Sequence, residues 1–507
     1  MTAARPARRT RASAGLLAVL VAVLAVVWPP SAAAALSSDG PVVLLGVGGL
    51  RWSDVDPVRT PALWSLADAA SLGTLSVRTV RPVTCPADGW LTVGAGRRAE
   101  LVAPDGTGLP CAPAPVVTAT SGGGAEVAGW AGVLAHQAEL PYDAHPGLLA
   151  RALAGRCATA VGPTAALALA GPDGTVPRWR PDATGLDAAA WSACDVWLVD
   201  LGTVITPGAA LGVYSRLLSR QEQVAAVDAR LAALLPTLPA NADVLLAGLS
   251  DSSTTPHLTV LAERRPGAAP GLLGSDSTRQ PGLAQLTDLT PTVLARAGAP
   301  APAELVGSPL QRGPGRGTTA HAVARLADLD RAGQGLRAVT AITYLIAVAA
   351  LLAVAARFAL ALRRDRPARH WRGTAVAALA VAALPGAGFL AGTAPWWRAA
   401  PPLLALVPLL LLWAAALTLL ALAGPWRRRP AGPAAAVAVL TALVLAVDVA
   451  TGARLALVSP LGFSLLEAGR FYGVGNVAFA LLITCGLLAV GVLVGPLLRA
   501  GRRVPAA

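Results

Sequence analysis

The 507-residue sequence contains no lysine, a single methionine and only five histidines. Arginine therefore carries the positive charge behind the net charge of +13, and aromatic residues make up only 4% of the chain. The sequence lacks the interleaved aromatic and basic residues that are typical of a nucleic-acid-binding surface. Its arginines instead cluster beside apolar runs, as membrane-topology signals do. We therefore expect no nucleic-acid partner.

The scarcity of histidine also limits metal chemistry. The histidines are His136, His145, His257, His321 and His370, and no two are spaced as HxH or HxxxH. A dinuclear zinc site draws several imidazoles and carboxylates together. We therefore expect no cofactor; if the protein is an enzyme, it would need a divalent metal (Zn²⁺, Mg²⁺, Mn²⁺ or Ca²⁺).

Cysteine is also rare, with five residues in the chain, and no CxxC pair occurs. Cys485 lies within an apolar run, which leaves an even set of four in the polar first part. In an exported domain such a set favours disulfides, most simply Cys85–Cys111 and Cys157–Cys194. Four cysteines allow three pairings, and four buried free thiols are the alternative.

Apolar residues are abundant. They make up 54% of the chain, and the mean hydropathy of +0.58 indicates membrane spans. Residues 1–36 combine a basic start, an apolar run and a small-residue end, which predicts a signal peptide or an N-terminal membrane anchor. Either one places the following domain outside the cytoplasmic membrane.

Five apolar stretches in the second part are each long enough to cross a bilayer. They cover residues 338–361, 374–395, 402–423, 433–453 and 476–498. Arginine clusters follow the first, third and fifth stretches, so these flanks and the C-terminus are predicted to be cytoplasmic. The prediction is a multi-pass plasma-membrane protein. It divides into 1–36, an extracytoplasmic domain (37–310), a linker (311–336), five transmembrane helices (337–499) and a basic cytoplasmic tail (500–507).

The extracytoplasmic domain shows alternating strand and helix patterns. Short apolar runs at 41–47, 195–200 and 243–248 have the length of buried parallel strands. Helical patterns begin near Thr60, Tyr214 and Thr287. The pattern predicts an α/β sandwich around a mostly parallel sheet, followed by an all-α bundle of five transmembrane helices.

Three segments of this domain, taken in order, carry a family resemblance. They are Val42-Val-Leu-Leu-Gly-Val-Gly-Gly-Leu-Arg-Trp52, Arg81-Pro-Val-Thr-Cys-Pro-Ala-Asp88 with its continuation to Gly96, and Gln285-Leu-Thr-Asp-Leu-Thr-Pro-Thr-Val-Leu294 with its continuation to Leu310. Together they resemble the alkaline phosphatase superfamily, in particular its phosphodiesterase/nucleotide pyrophosphatase branch. The resemblance implies an alkaline-phosphatase-like sandwich and does not extend to the membrane half.

The resemblance implies a threonine nucleophile at Thr84, at the start of a helix whose N-terminus favours a phosphoryl group. In that family two metal ions bound by Asp and His activate the nucleophile. Asp200 and Asp251 match two of the ligand positions. Gly48 stands where the first aspartate is expected, whereas Thr203 and Ser252 stand where histidines are expected. Asp200 and Asp251 either hold a metal or cap loops, and Thr84 is either a nucleophile or a helix cap.

The membrane half contains a few polar residues that are candidates for ligand binding. Asp448 lies near the end of the fourth stretch, with Arg454 as a predicted partner. Arg470 and Tyr472 lie in the outer segment 459–476 and are candidates for holding a phosphate or a lipid headgroup. The alternative is that this segment is a re-entrant loop that docks onto the extracytoplasmic domain.

We expect a diverged, metal-poor domain with a binding or scaffold role in the cell envelope. Its expected partners are membrane lipid and phosphorylated envelope ligands or envelope proteins. One alternative is a metal-dependent phosphodiesterase or phosphotransferase that uses Thr84 on lipid-linked or cell-wall phosphate esters. A second alternative is a transporter, although the spans show few polar groups and no repeat.

Overall fold

The computed structural model describes residues 38–102, 111–206, 218–363, 367–429, 431–467 and 474–499. The predicted signal peptide or anchor (1–36) and the predicted basic tail (500–507) lie outside the described residues. Two of the membrane-half candidates, Arg470 and Tyr472, lie outside them as well.

The first part of the chain alternates strands and helices, as the apolar pattern predicts. In chain order the elements are β1 (Val42–Gly48), α1 (Pro61–Ala69), β2 (Ser71–Ser76), α2 (Pro86–Ala95), β3 (Val117–Ala119), β4 (Ala125–Val127), α3 (Trp130–Glu139), α4 (Leu148–Ala152), β5 (Ala158–Val161), α5 (Pro163–Leu169), β6 (Thr175–Val176), β7 (Trp179–Arg180), α6 (Ala188–Ser192), β8 (Val196–Thr203), α7 (Arg220–Leu234), β9 (Asp243–Ser250), β10 (Leu258–Arg264), β11 (Gly271–Gly274), β12 (Leu283–Gln285), α8 (Leu289–Arg296) and β13 (Gln311–Gly315).

Ten strands form one mixed, mostly parallel central sheet. Its order is β13-β11-β2-β10-β9-β1-β8-β5-β7, and β12 pairs with β2. Strand β1 lies between β8 and β9 and is parallel to both, so the carboxyl ends of these three strands meet at one edge. Strand β10 is antiparallel to both of its neighbours. A small antiparallel sheet, β3-β4-β6, lies apart from the central one.

Helices cover both faces of the central sheet. Val42 and Leu44 of β1 point into one core, which includes Trp90 of α2. Val43 and Leu45 point into the opposite core. Side chains alternate between the faces of a strand, so a strand buried on both sides reads as one continuous apolar run. This is why β1 could be predicted from the sequence.

Residues 311–336, predicted to be a linker, contain an edge strand and the start of a long helix. Gln311–Gly315 is an edge strand that pairs with β11, and a 45-residue helix, α9 (Thr319–Arg363), follows it. The reason lies in the spacing of Ala322, Val323 and Leu326, which face one side of the helix and pack into the domain core. The same helix continues into the apolar part of the chain, so it joins the two halves directly.

The second part of the chain is helical. Its elements are α10 (Ala368–Leu390), α11 (Leu403–Ala423), α12 (Gly432–Ala450), α13 (Arg454–Leu457) and α14 (Asn476–Arg499). Among the described residues, four helices, α9 to α12, are long and apolar enough to cross a membrane. The fifth predicted span coincides with α14, whose described apolar part, Asn476–Gly491, is shorter. A fifth crossing therefore stays a prediction.

The two halves pack against each other through an apolar cluster. Leu258 and Leu283 of the sheet domain contact Leu457, Val458 and other residues of the helical half. Polar contacts reinforce this cluster, because the Gln280 side chain donates a hydrogen bond to the Gly452 carbonyl at 2.9 Å.

A second polar contact joins the long helix to the loop between α10 and α11. Asp328 of α9 accepts hydrogen bonds from Nε and Nη2 of Arg398, each at 2.9 Å, and from the Trp397 indole at 3.1 Å. Arg398 and Trp397 belong to the Trp-Trp-Arg segment between the second and third apolar stretches. This contact holds the loop against the part of α9 that lies before its apolar run.

Both disulfides favoured by the sequence are present. Cys85–Cys111 has a Cα–Cα distance of 5.5 Å and Cys157–Cys194 one of 4.7 Å. The first ties the turn before α2 to the segment that begins at Cys111, and the second ties the start of β5 to the start of β8. Cys485 is a free thiol.

Candidate functional site

The Thr84 turn lies between β2 and α2, directly before a helix that starts with Cys85 as N-cap and Pro86 as its first residue. Thr84 is fully buried. Its hydroxyl donates to the Val77 carbonyl and accepts a hydrogen bond from the Thr79 amide at 3.1 Å. The hydroxyl therefore closes its own turn.

Asp251 follows β9 and is 2% exposed. Its Oδ2 accepts a hydrogen bond from the Thr84 amide at 2.7 Å, and its Oδ1 accepts one from the His257 amide at 2.8 Å. Burial raises the pKa of Asp251 to about 7, although these two hydrogen bonds and the nearby Arg51 pull it down. The carboxyl group thus links two loops at the sheet edge.

Asp200, the second predicted metal ligand, lies in β8 and is half-buried. Its Oδ1 accepts a hydrogen bond from the Gly202 amide at 2.8 Å, and its Oδ2 accepts one from the Thr164 hydroxyl of α5. The Asp200 side chain lies against Gly162 at the start of α5. This places it toward β5, whereas Asp251 lies beside the Thr84 turn.

Gly48, where the resemblance expects an aspartate, has no space for a side chain. The register places it beside Thr203 of β8 and Ser250 of β9. A Cβ atom at Gly48 would lie 2.7 Å from the Thr203 methyl group and 2.8 Å from the Ser250 hydroxyl. These side chains fill the volume that an aspartate would need.

Arg51 lies at the same edge, just beyond β1. Its guanidinium donates hydrogen bonds to the hydroxyls of Ser252 and Thr206, the latter at 3.2 Å. Burial, followed by the positive charge of Arg220, lowers the pKa of Arg51 from its usual value. Ser252 stands where the resemblance expects a metal-binding histidine, so a cationic side chain contacts the position where the resemblance implies a metal ligand.

The long helix α9 contributes to this edge. Asp330 accepts hydrogen bonds from the Leu258 amide and from the ring Nδ1 of His257, each at 2.8 Å. Gln334, one turn later, donates to the Pro256 carbonyl at 2.7 Å. His257, interpreted from the sequence as a strand-edge residue, is thereby attached to the helix that enters the membrane half.

These contacts determine whether the carboxylates at this edge of the sheet could bind a metal ion. The described residues contain no group of three or more His, Cys, Asp or Glu side chains placed to hold an ion. Both oxygens of Asp251 and both oxygens of Asp200 already accept hydrogen bonds. The edge therefore does not fit the two-metal arrangement that the resemblance implies.

Asp448 lies at the end of α12 and is buried. Its two oxygens accept hydrogen bonds from the amides of Leu455 and Ala456, each at 2.8 Å, at the start of α13. The structure thus pairs Asp448 with backbone amides, whereas Arg454 is exposed. Asp448 thereby caps the short helix α13, which contacts the sheet domain through Leu457.

Sequence reasoning did not assign functional roles to Arg51, Asp330 and Gln334. Arg51 is part of the first segment that carries the resemblance, so its position was visible, but its contact with Ser252 joins residues 201 positions apart. Asp330 and Gln334 fall within the predicted linker. Their helical spacing of four was the only local signal.

The chain matches no protein-family model and no curated protein sequence. The structure itself defines the class: a domain with a mixed, mostly parallel central sheet, joined by one long helix to a helical region with four apolar candidate spans.

Proposed function

We propose that the chain is a multi-pass plasma-membrane protein with a diverged alkaline-phosphatase-like domain that binds envelope ligands or partners and does not transfer phosphoryl groups. The observation that carries this proposal is the buried Thr84 hydroxyl, which is committed to the Val77 carbonyl and the Thr79 amide. A nucleophile needs a lone pair directed at the substrate and a base or metal to activate it. At Thr84 the carboxyl group of Asp251 instead accepts a hydrogen bond from the Thr84 backbone amide.

The filled Gly48 position and the Arg51 contact with Ser252 support the same proposal. A metal placed there would meet a guanidinium, and like charges repel strongly in a partly buried site. The contacts at this edge hold loops together and fasten the domain to α9 through Asp330.

The proposed location rests on the sequence and on the apolar helices. The arginine clusters that flank the first and third apolar stretches favour a cytoplasmic side opposite the sheet domain. The sheet domain packs on the loops at the other end of the helices, through Asp328 and the Leu457 and Val458 cluster. This arrangement supports an extracytoplasmic domain that rests on the membrane surface.

The second candidate is a metal-dependent phosphodiesterase acting through Thr84. One observation favours it: Asp251 lies directly against the Thr84 backbone, with 2.7 Å between its Oδ2 and the Thr84 amide nitrogen. A rearrangement that freed both side chains would bring a carboxylate and a hydroxyl together at a helix N-terminus.

One experiment separates the two candidates. The full chain, purified in detergent, is analysed for bound metal and assayed for hydrolysis of bis-p-nitrophenyl phosphate with Zn²⁺, Mg²⁺, Mn²⁺ or Ca²⁺ added. We expect no turnover that differs between the wild type and a Thr84→Ala variant. Stoichiometric metal together with turnover that Thr84→Ala abolishes and Thr84→Ser retains would overturn the proposal.

A further inference from the structure

A cavity lies between the two halves of the protein, beside the Thr84 turn. It has a volume of about 850 Å³. Arg78, Pro82 and Pro256 line it from the sheet domain, and α9 and the outer loop that begins at Ser459 line its other sides. Cavities of about 300–1,000 Å³ are the size of small-molecule sites. We call this cavity the junction chamber.

The junction chamber carries an excess of positive charge. Arg78 follows β2, and its buried Nε atom has no hydrogen-bond partner among the described residues. Arg337 of α9 lines the chamber and is exposed to it. Glu467 is the only acidic side chain among the described lining residues. Two guanidinium groups against one carboxylate favour an anion, and the guanidinium geometry suits phosphate oxygens.

An apolar groove continues from the chamber into the membrane half. It has a volume of about 470 Å³ and is lined by α9, α10 and α11. Tyr344 and Pro460 line both spaces, so the chamber and the groove adjoin. Below Tyr344 the described lining is apolar and includes Ala347 and Leu351.

The length of the groove matches one leaflet of a bilayer. Its lining along α9 runs from Thr343 to Val354, which is twelve residues separated by eleven steps along the helix. At 1.5 Å per residue this covers about 16 Å, roughly half of the hydrocarbon thickness of a bilayer, which is about 30 Å. Arg337, Thr340 and Tyr344 follow one another at helical spacing on the same face of α9, above the groove.

We propose that the junction chamber and its groove together bind one membrane lipid, with its phosphate headgroup between Arg78 and Arg337 and a hydrocarbon chain along α9. The lipid comes from the leaflet on the side of the sheet domain. This inference deepens the proposed binding role by naming the ligand class, and it rests on that role.

A lipid would occupy both the chamber and the groove, whereas a soluble phosphate compound would occupy only the chamber. The groove residues Leu351 and Val348 are exposed, at 58% and 52%, on a helix surface that faces the bilayer in the proposed topology. A chain lying there makes apolar contacts on three helices, and the headgroup remains at the interface where arginine side chains reach phosphates.

The test uses the delipidated full chain in detergent and native mass spectrometry. The probe is dioleoylphosphatidic acid, which has a phosphate monoester and two acyl chains. Two matched compounds separate its parts: dioleoylglycerol has the chains without the phosphate, and glycerol 3-phosphate has the phosphate without the chains. We expect saturable binding of one phosphatidic acid molecule, with at least about tenfold weaker binding of each matched compound.

Substitutions in the chamber and in the groove test where the lipid binds. We expect Arg78→Gln with Arg337→Gln to weaken phosphatidic acid binding at least about tenfold, because each loses a charge-assisted hydrogen bond. Arg325→Gln is the control, since Arg325 is an exposed arginine on α9 outside the chamber. Ala347→Trp fills the groove and weakens binding similarly, whereas Leu345→Trp, on an exposed α9 position outside the groove, leaves it unchanged.

Each other outcome contradicts the inference. Equal binding to wild type and all variants means nonspecific lipid association. Tight, arginine-dependent binding of glycerol 3-phosphate equal to that of phosphatidic acid means a soluble phosphate ligand. No binding to the wild type removes the lipid site but leaves the non-catalytic proposal standing, because that proposal is tested separately by metal content and turnover.

Discussion

Replacing Thr84 by valine tests whether the hydroxyl holds the fold. Valine keeps the shape of threonine but replaces the hydroxyl by a methyl group. The Val77 carbonyl and the Thr79 amide would then lose their partner at a fully buried site. An unsatisfied buried polar group costs about 1–3 kcal/mol. We therefore expect Thr84→Val to lower the free energy of unfolding by about 2–4 kcal/mol.

Thr84→Ser is the matched control. Serine keeps the oxygen and loses one methyl group, which costs about 1 kcal/mol. The full chain in detergent is unfolded by heat and followed by tryptophan fluorescence, with the Tm of the three proteins compared. The predicted order of Tm, from highest to lowest, is wild type, Thr84→Ser and Thr84→Val. A valine variant that is as stable as the wild type would refute the reasoning, because a hydroxyl that makes no structural hydrogen bonds can be replaced by a methyl group without loss of stability.

Three further predictions follow from the domain. Gly48→Ala destabilises the fold by about 1–3 kcal/mol through overpacking against Thr203 and Ser250, whereas Gly122→Ala, where nothing lies within 4 Å, changes the Tm little. Asp88 has its pKa raised to about 7 by burial. Asp88 therefore loses its proton near pH 4 in the unfolded state but only near pH 7 in the folded state. The protonated carboxyl group contributes fully to stability below about pH 4. This contribution is lost as the pH rises through about 7, at up to about 1.4 kcal/mol per pH unit. Asp88→Asn flattens the decrease of Tm between pH 5 and 8; an unchanged slope contradicts the assignment. Removing Cys85–Cys111 with a double alanine variant lowers the stability by about 3 kcal/mol, and a Tm unaffected by this change would show that the disulfide does not constrain the Thr84 turn.

Local patterns were enough to predict the central strands and the apolar helices. β1, β8 and β9 are buried on both faces and appear in the sequence as short uninterrupted apolar runs. The even cysteine set favoured two disulfides, and the simplest of the three possible pairings is the one present. The helix within residues 319–336 was not predicted, because the polar, glycine-rich composition of this segment hid a helical spacing of apolar residues, Ala322 and Leu326 among them.

The contacts of the candidate site could not be predicted without the fold. The sequence shows that Gly48 lacks a carboxylate, but only the register shows that Thr203 and Ser250 fill the space. The His257–Asp330 contact joins residues 73 positions apart, from a strand and from the long helix. Likewise, the junction chamber brings together segments from both halves, and no local pattern signals that Arg78 and Arg337 face the same cavity.

The central claim is that Thr84 is a structural residue and not a phosphoryl acceptor. The most direct measurement is mass spectrometry of the Thr84 peptide after the full chain has been incubated with p-nitrophenyl phosphate and each divalent metal. We predict that the Thr84 peptide remains unmodified in every condition. A phosphoryl group on the Thr84 hydroxyl, with release of an equal amount of p-nitrophenol, would contradict the account.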